Sequence, residues 1–326
     1  MNQQHENASK YVREDDGTIA ISASTSALIT LCAGGFAGAV SRTCVAPLER
    51  TKILFQVQAT SARGKPPRYT SVWQSLVDIG RREGVRGFFR GNAVNCMRIV
   101  PMSAIQFATY EELKRRIGKG KHTLAPEERL GAGALAGACA QAVTHPLDVM
   151  RARVTADLRG VEAGRGLIGG LRHVWRTEGF VACYRGLVPS LIGIMPYVGV
   201  DFMVFEELKA LFLRRGIATD PRTGELTVRA KLCAGAVAGV CGQTIAFPLD
   251  TVRRNLQVQS IKTPPGEPLP YRGMLHCFRV IVRRDGFLAL YSGLWPNFLK
   301  AVPSVSISFF VFEEARDALE EMYRRR

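Results

Sequence analysis

The chain has 326 residues, 47% of them hydrophobic, and its 44 Lys and Arg exceed its 28 Asp and Glu by a formal charge of +16. That excess points to anionic partners: nucleic acid, a lipid surface or phosphate-bearing small molecules. The eight Cys stand singly, without a CxxC pair or a His/Cys cluster, so neither a zinc site nor a disulfide framework is indicated.

Residues 1–25 are expected to form a flexible N-terminal segment. "MNQQHENASKYVREDDG" carries four acids and no apolar core, unlike a secretory signal or an Arg-rich transit peptide. The rest divides into three similar stretches, 26–120, 127–216 and 227–322. The first opens with a nearly uncharged segment from Ser26 to Val40 that contains Gly34 and Gly38, followed by "PLERTK" at 47–52. "YTSVWQSLVDIGRREG" comes next, apolar on one side and basic on the other, and predicts a short helix lying on a membrane surface. "EGVRGFFRG" (83–91) then leads into a second long helix that ends near "YEELK" (110–114).

The second stretch repeats this plan with Gly133, Gly137, "PLDVMR" (146–151), "EGFVACYRG" (178–186) and "FEELK" (205–209). The third does so with Gly235, Gly239, "PLDTVR" (248–253), "DGFLALYSG" (285–293) and "FEEAR" (312–316). The first glycine lies 13 residues before its proline in every case, and the third phrase begins 27 residues after the acid that opens the second. Such register marks an internal repeat. Each unit reads as a long helix, a loop with a surface helix, and another long helix. The small-xxx-small glycines suit close helix packing in lipid.

Three units predict an all-α membrane protein of six transmembrane helices in tandem pseudo-threefold repeats around a central cavity. Both termini then lie on one side, and Arg81, Arg82, Arg86 and Arg90 mark the opposite loops as inside. Solenoid repeats are usually shorter and less Gly-rich.

In a threefold arrangement equivalent residues lie at one height. Glu49, Asp148 and Asp250 would then alternate with Lys52, Arg151 and Arg253 in a ring, the acid of one helix meeting the base of the next. Pro47, Pro146 and Pro248 would kink the helices there. The phrases near the ends of the second helices offer another ring, Glu111, Glu206 and Glu313 with Lys114, Lys209 and Arg316. The local alternative pairs each acid with its own base three residues on.

The three P-x-[DE]-x-x-[KR] phrases, with the [DE]-G-x4-aromatic-[KR]-G and [FY]-[DE]-x-x-[KR] phrases, resemble the mitochondrial carrier family over residues 27–320. The resemblance implies a monomeric bundle in the mitochondrial inner membrane, with its termini toward the intermembrane space, lipid contacts that could include cardiolipin, and solute exchange by alternating access. The first ring would be the matrix gate and the second the cytoplasmic gate. The family pattern adds a glutamine under the first ring. Gln56 and Gln257 match it and Thr155 does not, so one brace is expected to be missing. A tyrosine brace on the second ring could come only from Tyr110, because Phe205 and Phe312 lack a hydroxyl. Ser292 stands where the second phrase of the third repeat would by that pattern have a base, and these departures are expected to weaken the barriers on both sides.

Substrate contacts should break the symmetry. Fifteen residues after each second-phrase acid stand Arg98, Gly193 and Lys300, each followed three residues on by Pro101, Pro196 or Pro303. Arg42, Gln141 and Gln243 precede the first-helix prolines by five. Cations at mid-membrane depth mark function. Arg42, Arg98 and Lys300 suit a di- or triphosphate, and Gly193, Ile194 and Tyr197 suit a purine. A Gly-Ile pair there resembles adenine nucleotide carriers, and the surrounding segments look most like the ATP-Mg/phosphate branch. Asp201 fits that branch and could meet Mg2+ travelling with the nucleotide.

No cofactor, resident metal or EF-hand loop is expected. Coenzyme A, an adenine nucleotide derivative, is the nearest competing substrate. No phosphate loop, HExxH or GxSxG motif suggests an enzyme, and His145 reads as structural. A basic helical-repeat nucleic-acid binder would explain the charge, but no nucleic-acid-binding module is present, and none is expected as a partner.

Overall fold

The computed structural model describes residues 23–61, 71–118, 125–157, 161–215, 226–263 and 267–324, so the expected segment 1–25 lies outside them up to residue 22. The described residues form long helices with short connections and no β-ladder between neighbouring strands. In chain order these are α1 (Ala23–Cys44), α2 (Ala46–Ser61), α3 (Val72–Phe88), α4 (Asn92–Gly118), α5 (Pro126–Ala156), α6 (Gly166–Glu178), α7 (Leu187–Arg214), α8 (Val228–Lys262), α9 (Met274–Asp285) and α10 (Leu294–Arg324). Single 3₁₀ turns at Phe180–Tyr184 and Phe287–Tyr291 precede α7 and α10.

The first long helix differs among the repeats. In the second and third it runs through its proline without a break, as α5 and α8. In the first it is divided at Val45 into α1 and α2, and Pro47 becomes the second residue of a new helix, where its missing N–H costs little. Helices α3, α6 and α9 are amphipathic and bury a narrow stripe, for example Ser75 and Ile79, Gly170 and Val174, and Cys277 and Ile281. Burial in that stripe pushes the Cys277 thiol up to about 12.

Two helical segments, Phe180–Arg214 and Ala230–Lys262, are long and apolar enough to cross a membrane by length and composition. Only 11% and 22% of their apolar windows are buried within the protein, the reverse of a soluble core helix. Phe202, Met203, Leu232 and Val237 are among the large apolar side chains these helices turn outward. The other long helices carry more charge or more Gly and Ala, which lowers their apolar signal.

The chain separates into two compact units, residues 1–46 with 300–326, and residues 47–299. In the first, the Ser41 hydroxyl of α1 donates to the Ser304 carbonyl of α10 at 2.7 Å, and Gly34 faces the ring of Phe312 at 4.0 Å from where a Cβ would stand.

In the second unit, Ile53 and Val57 of α2, Ala152 and Ala156 of α5 and Val258 of α8 form one buried cluster to which all three repeats contribute. Val94, Met150, Val154, Val174, Ala182 and Cys183 pack α6 onto α5 and α4, and Val252, Leu256, Tyr271, Cys277, Ile281 and Leu290 pack α9 onto α8. Close packing of α7 on α8 centres on Gly242, where a Cβ would stand 2.9 Å from the Tyr197 carbonyl oxygen. The expected glycines Gly133, Gly137 and Gly235 have open space around them instead.

Both glycines of the second phrase take positive φ in every repeat: 66°, 84° and 85° at Gly84, Gly179 and Gly286, and 81°, 88° and 95° at Gly91, Gly186 and Gly293. In the first set Gly179 and Gly286 end their surface helices and Gly84 kinks α3 at the same register, and the second set starts the next long helix. The second set also docks on the following repeat. A Cβ on Gly91 would stand 3.2 Å from the Arg151 carbonyl oxygen, one on Gly186 3.0 Å from that of Arg253, and one on Gly293 2.9 Å from that of Lys52. Gly186→Ala therefore combines left-handed strain with a backbone clash. It should destabilise by about 2 kcal/mol, read as a lower unfolding temperature of the purified protein.

Candidate functional site

The first-phrase charges meet across repeats within the 47–299 unit. Arg151 Nη2 donates to Glu49 Oε1 at 2.8 Å, Arg253 donates to Asp148 Oδ2, and Lys52 Nζ donates to Asp250 Oδ2 at 2.8 Å. Repeat one thus holds two, two holds three and three holds one, which closes a ring of three ion pairs. The Lys52 ammonium also lies 5.3 Å from the centroid of the Phe247 ring, a cation–π distance. Asp148 is fully buried. Removing one partner of such a pair would strand a charge away from water.

Gln56 Nε2 donates to Asp250 Oδ2 and Gln257 Nε2 to Asp148 Oδ2, each at 3.0 Å. Thr155 takes no part in the third pair. Its hydroxyl donates to the Arg151 carbonyl at 2.7 Å, one turn back in its own helix. The seam between repeats one and two therefore lacks the brace that the other two have. The seventh residue after each first-phrase proline, the +7 position, adds to this asymmetry: Arg153 Nε donates to the Gln257 carbonyl at 3.2 Å and Asn255 Nδ2 to the Gln56 carbonyl at 3.0 Å, while repeat one has Leu54 there.

Two further cations reach the ring. Arg98 does not line an open wall as its spacing suggested. It is 9% exposed, with Nη1 3.5 Å from Asp148 Oδ1, because the midpoint of α4 packs against α5 at that level. Arg254, which the repeat pattern did not single out, lies 3.7 Å from Asp148 and 3.9 Å from Asp250. The only sequence sign of it was the double arginine after "PLDTV".

The base of the second phrase belongs to a different assembly. Glu83 accepts from Arg50 at 2.8 and 2.9 Å and pairs with Arg90 at 2.6 Å. Glu178 pairs with Arg153 at 2.5 Å and Arg185 at 2.5 Å. These clamps fasten the surface helices to the long ones, and Arg50 and Arg153 are almost wholly buried. Ser292 therefore does not weaken the ring; it removes a clamp arm in repeat three. There Asp285 pairs with its neighbour Arg284 at 3.1 Å, and Thr251 holds the Leu290 carbonyl at 2.7 Å. Desolvation alone would raise Glu178, but the hydrogen bonds and charges of its arginines outweigh it and hold the carboxyl below the usual carboxylate range. His145 is structural, its ring nitrogens lying 3.3 Å from Gln141 Nε2 and 3.1 Å from the Arg185 carbonyl.

The second set of charges pairs locally. Lys114 lies 3.8 Å from Glu111 and Lys209 3.4 Å from Glu206, each three residues along one helix, and Arg316 contacts Asp317 at 3.3 Å and Glu320 at 3.6 Å. The side chains of Glu111 and Glu206 are 52% and 51% exposed, so water screens longer-range attraction and the nearest base prevails. No cross-repeat pair like those of the first ring occurs for these lysines among the described residues. Tyr110 and Glu313 lie on α4 and α10.

Of the remaining candidates, Gly193 abuts Leu249, with a Cβ position 3.6 Å from the Leu249 Cβ. Tyr197 and Asp201 lie one turn apart against Gly242 of α8, and Ile194 is half-buried beside them in sequence. Arg42 and Lys300 are half-buried in the unit formed by the chain ends. Gln243 accepts from Asn297 at 2.5 Å.

The family model described as "Mitochondrial carrier protein" matches residues 23–121, 123–216 and 224–323. Among curated proteins, the "Mitochondrial adenine nucleotide transporter ADNT1" of Arabidopsis thaliana is 44% identical over 90% of this chain and 88% of its own length. The "Calcium-binding mitochondrial carrier protein SCaMC-2-B" of Danio rerio is 40% identical, and the "Mitochondrial adenyl nucleotide antiporter SLC25A25" of Homo sapiens 39%, each over 89% of this chain. The chain spans 59% of the length of the latter two.

Two outcomes are expected at the site. Gln257→Ala and Gln56→Ala should each lower stability by about 1 kcal/mol, and Thr155→Ala by less, in thermal unfolding. Glu178→Gln should cost about 3 kcal/mol at neutral pH, because it leaves buried Arg153 without its carboxylate. Since the folded value of Glu178 is depressed, its contribution is present above about pH 4.3 and fades as pH falls through the lower folded value. The gap between wild type and variant in unfolding temperature should narrow on acidification.

Proposed function

This chain belongs to the mitochondrial carrier protein family, and from that premise we propose that it exchanges adenine nucleotides across the mitochondrial inner membrane by alternating access. The observation that carries the substrate reading is Arg98, a buried guanidinium whose Nε and Nη1 make no hydrogen bond among the described residues. Its loose pairing with Asp148 leaves hydrogen-bonding capacity that a phosphate would fill once the ring parts. The names of the relatives, adenine nucleotide transporter and adenyl nucleotide antiporter, support the same reading.

In this reading the closed first ring is the matrix gate, and the locally paired second set is the cytoplasmic gate in its open condition. The three first-ring pairs must part, and the second set must pair across repeats, for the cargo to pass. Arg42, Arg98 and Lys300 hold phosphates, while Gly193, Ile194 and Tyr197 receive the purine. Mg2+ travels as part of an ATP cargo near Asp201, with phosphate as a counter-substrate. The protein works as a monomer in contact with lipid, including cardiolipin, with both termini toward the intermembrane space.

The test is uptake of labelled ATP into liposomes containing the purified protein and preloaded with ATP, ADP, AMP, phosphate or coenzyme A. Preloaded adenine nucleotide should drive uptake, and Arg98→Ala should reduce it by at least ~30-fold, the equivalent of about 2 kcal/mol for one lost charge-assisted contact. If only an amino acid or keto acid supported flux, the assignment would be wrong.

A further inference from the structure

The residue just before each first-phrase proline is Ala46, His145 or Phe247. On an unbroken helix this position lies one turn ahead of the ring acid and on the same face. In repeat three the buried Phe247 ring has the Lys52 ammonium 5.3 Å from its centroid, and that ammonium donates to Asp250 Oδ2 at 2.8 Å. One helix thus presents both a π face and a carboxylate to the cation of another.

A column of aromatic rings backs this contact. Phe247 stacks on Tyr291 with centroids 6.4 Å apart and 10° between the planes, and Tyr291 meets Phe287 edge-on at 5.8 Å. Phe287 opens the 3₁₀ turn before α10 and is 55% exposed, so the column runs from the surface to the ring. Repeat two builds the same column from Phe180, Tyr184 and His145, at 5.2 and 6.3 Å. There it ends on an imidazole whose Nε2 lies 3.1 Å from the Arg185 carbonyl. Repeat one has Phe89 at the middle position but Ala46 at the last, which supplies no ring.

The base that meets Phe247 is the one lysine of the three. Arg151 and Arg253 carry planar forks that fix their own approach to a carboxylate, whereas an ammonium is a point charge on a flexible stem. Among the described residues Asp250 Oδ2 is the one hydrogen-bond acceptor of Lys52. A π face beside the ammonium supplies the direction that this single bond does not.

We propose that Phe247 is a positioning residue for closure of the ring: its π face directs Lys52 onto Asp250, so the seam between repeats three and one is held by a cation–π contact that the other two seams lack among the described residues. The contact does not depend on which solute is carried. It is lost when the pair parts, so it acts on the rate of passage rather than on affinity for the solute.

The experiment replaces Phe247 with mono-, di- and trifluorophenylalanine in the full-length protein. These keep the shape of the ring while withdrawing its negative face. Thermal unfolding is followed without added solute. Fluorine makes the ring more apolar, so packing alone predicts an unfolding temperature that holds or rises. The proposal predicts a stepwise fall, about 3 °C from phenylalanine to the trifluoro ring. With Lys52→Gln and Asp250→Asn together, which removes both charges at once, the same series should be flat. If that background does not fold, the native series decides by its sign. In liposomes preloaded with ATP, the maximal exchange rate should change in the same order, by about threefold across the series, with half-saturation moving less than about twofold.

A flat or rising series in the native background would overturn the proposal. So would an equal fall in the neutral background, or a change in half-saturation as large as that in rate. The unfolding measurements need no solute, so absence of adenine nucleotide exchange by the wild-type protein would overturn the substrate reading and leave this test standing.

Discussion

Three ion pairs, each linking one repeat to the next, organise the 47–299 unit. They lie over a small dry cluster made by the same three helices, so charge and hydrocarbon close the same junction at successive turns. Such pairs contribute little net stability, since desolvation offsets most of their attraction, but they are intolerant of misplacement. Their effect is to specify which helix faces which, and at what height.

The positions of the other elements follow from that requirement. The positive-φ glycines Gly91, Gly186 and Gly293 let each second helix begin directly against the carbonyl of the next repeat's ring base, a distance that a Cβ would prevent. The arginine clamps on Glu83 and Glu178 then hold the surface helices against the long helices that carry the ring. Among the described residues repeat three shows no such clamp, and the apolar packing of Cys277, Ile281 and Leu290 on Val252 and Leu256 fastens α9 instead.

The symmetry is broken most at the junction itself. One seam has neither a glutamine brace nor a side-chain bond from the +7 position, while the other two have both. Arg254 adds a buried cation beside Asp148 and Asp250, at a register where the other two repeats have Ile53 and Ala152. A ring of equal latches has no preferred place to yield; this one has unequal seams.

The amino-acid sequence by itself determined the helical architecture, the three repeats, the members of the ring and the missing brace at Thr155. All of these rest on residue type and register, and both survive in one dimension. Only the tertiary structure decided that Arg98 turns onto Asp148, that Arg90 and Arg185 grip surface-helix acids, that the second charges pair along their own helices, and that Arg254 enters the three-way junction. Each of these depends on which neighbour is nearest once the helices pack, and on how far water screens the alternatives. Spacing along a chain carries no measure of either.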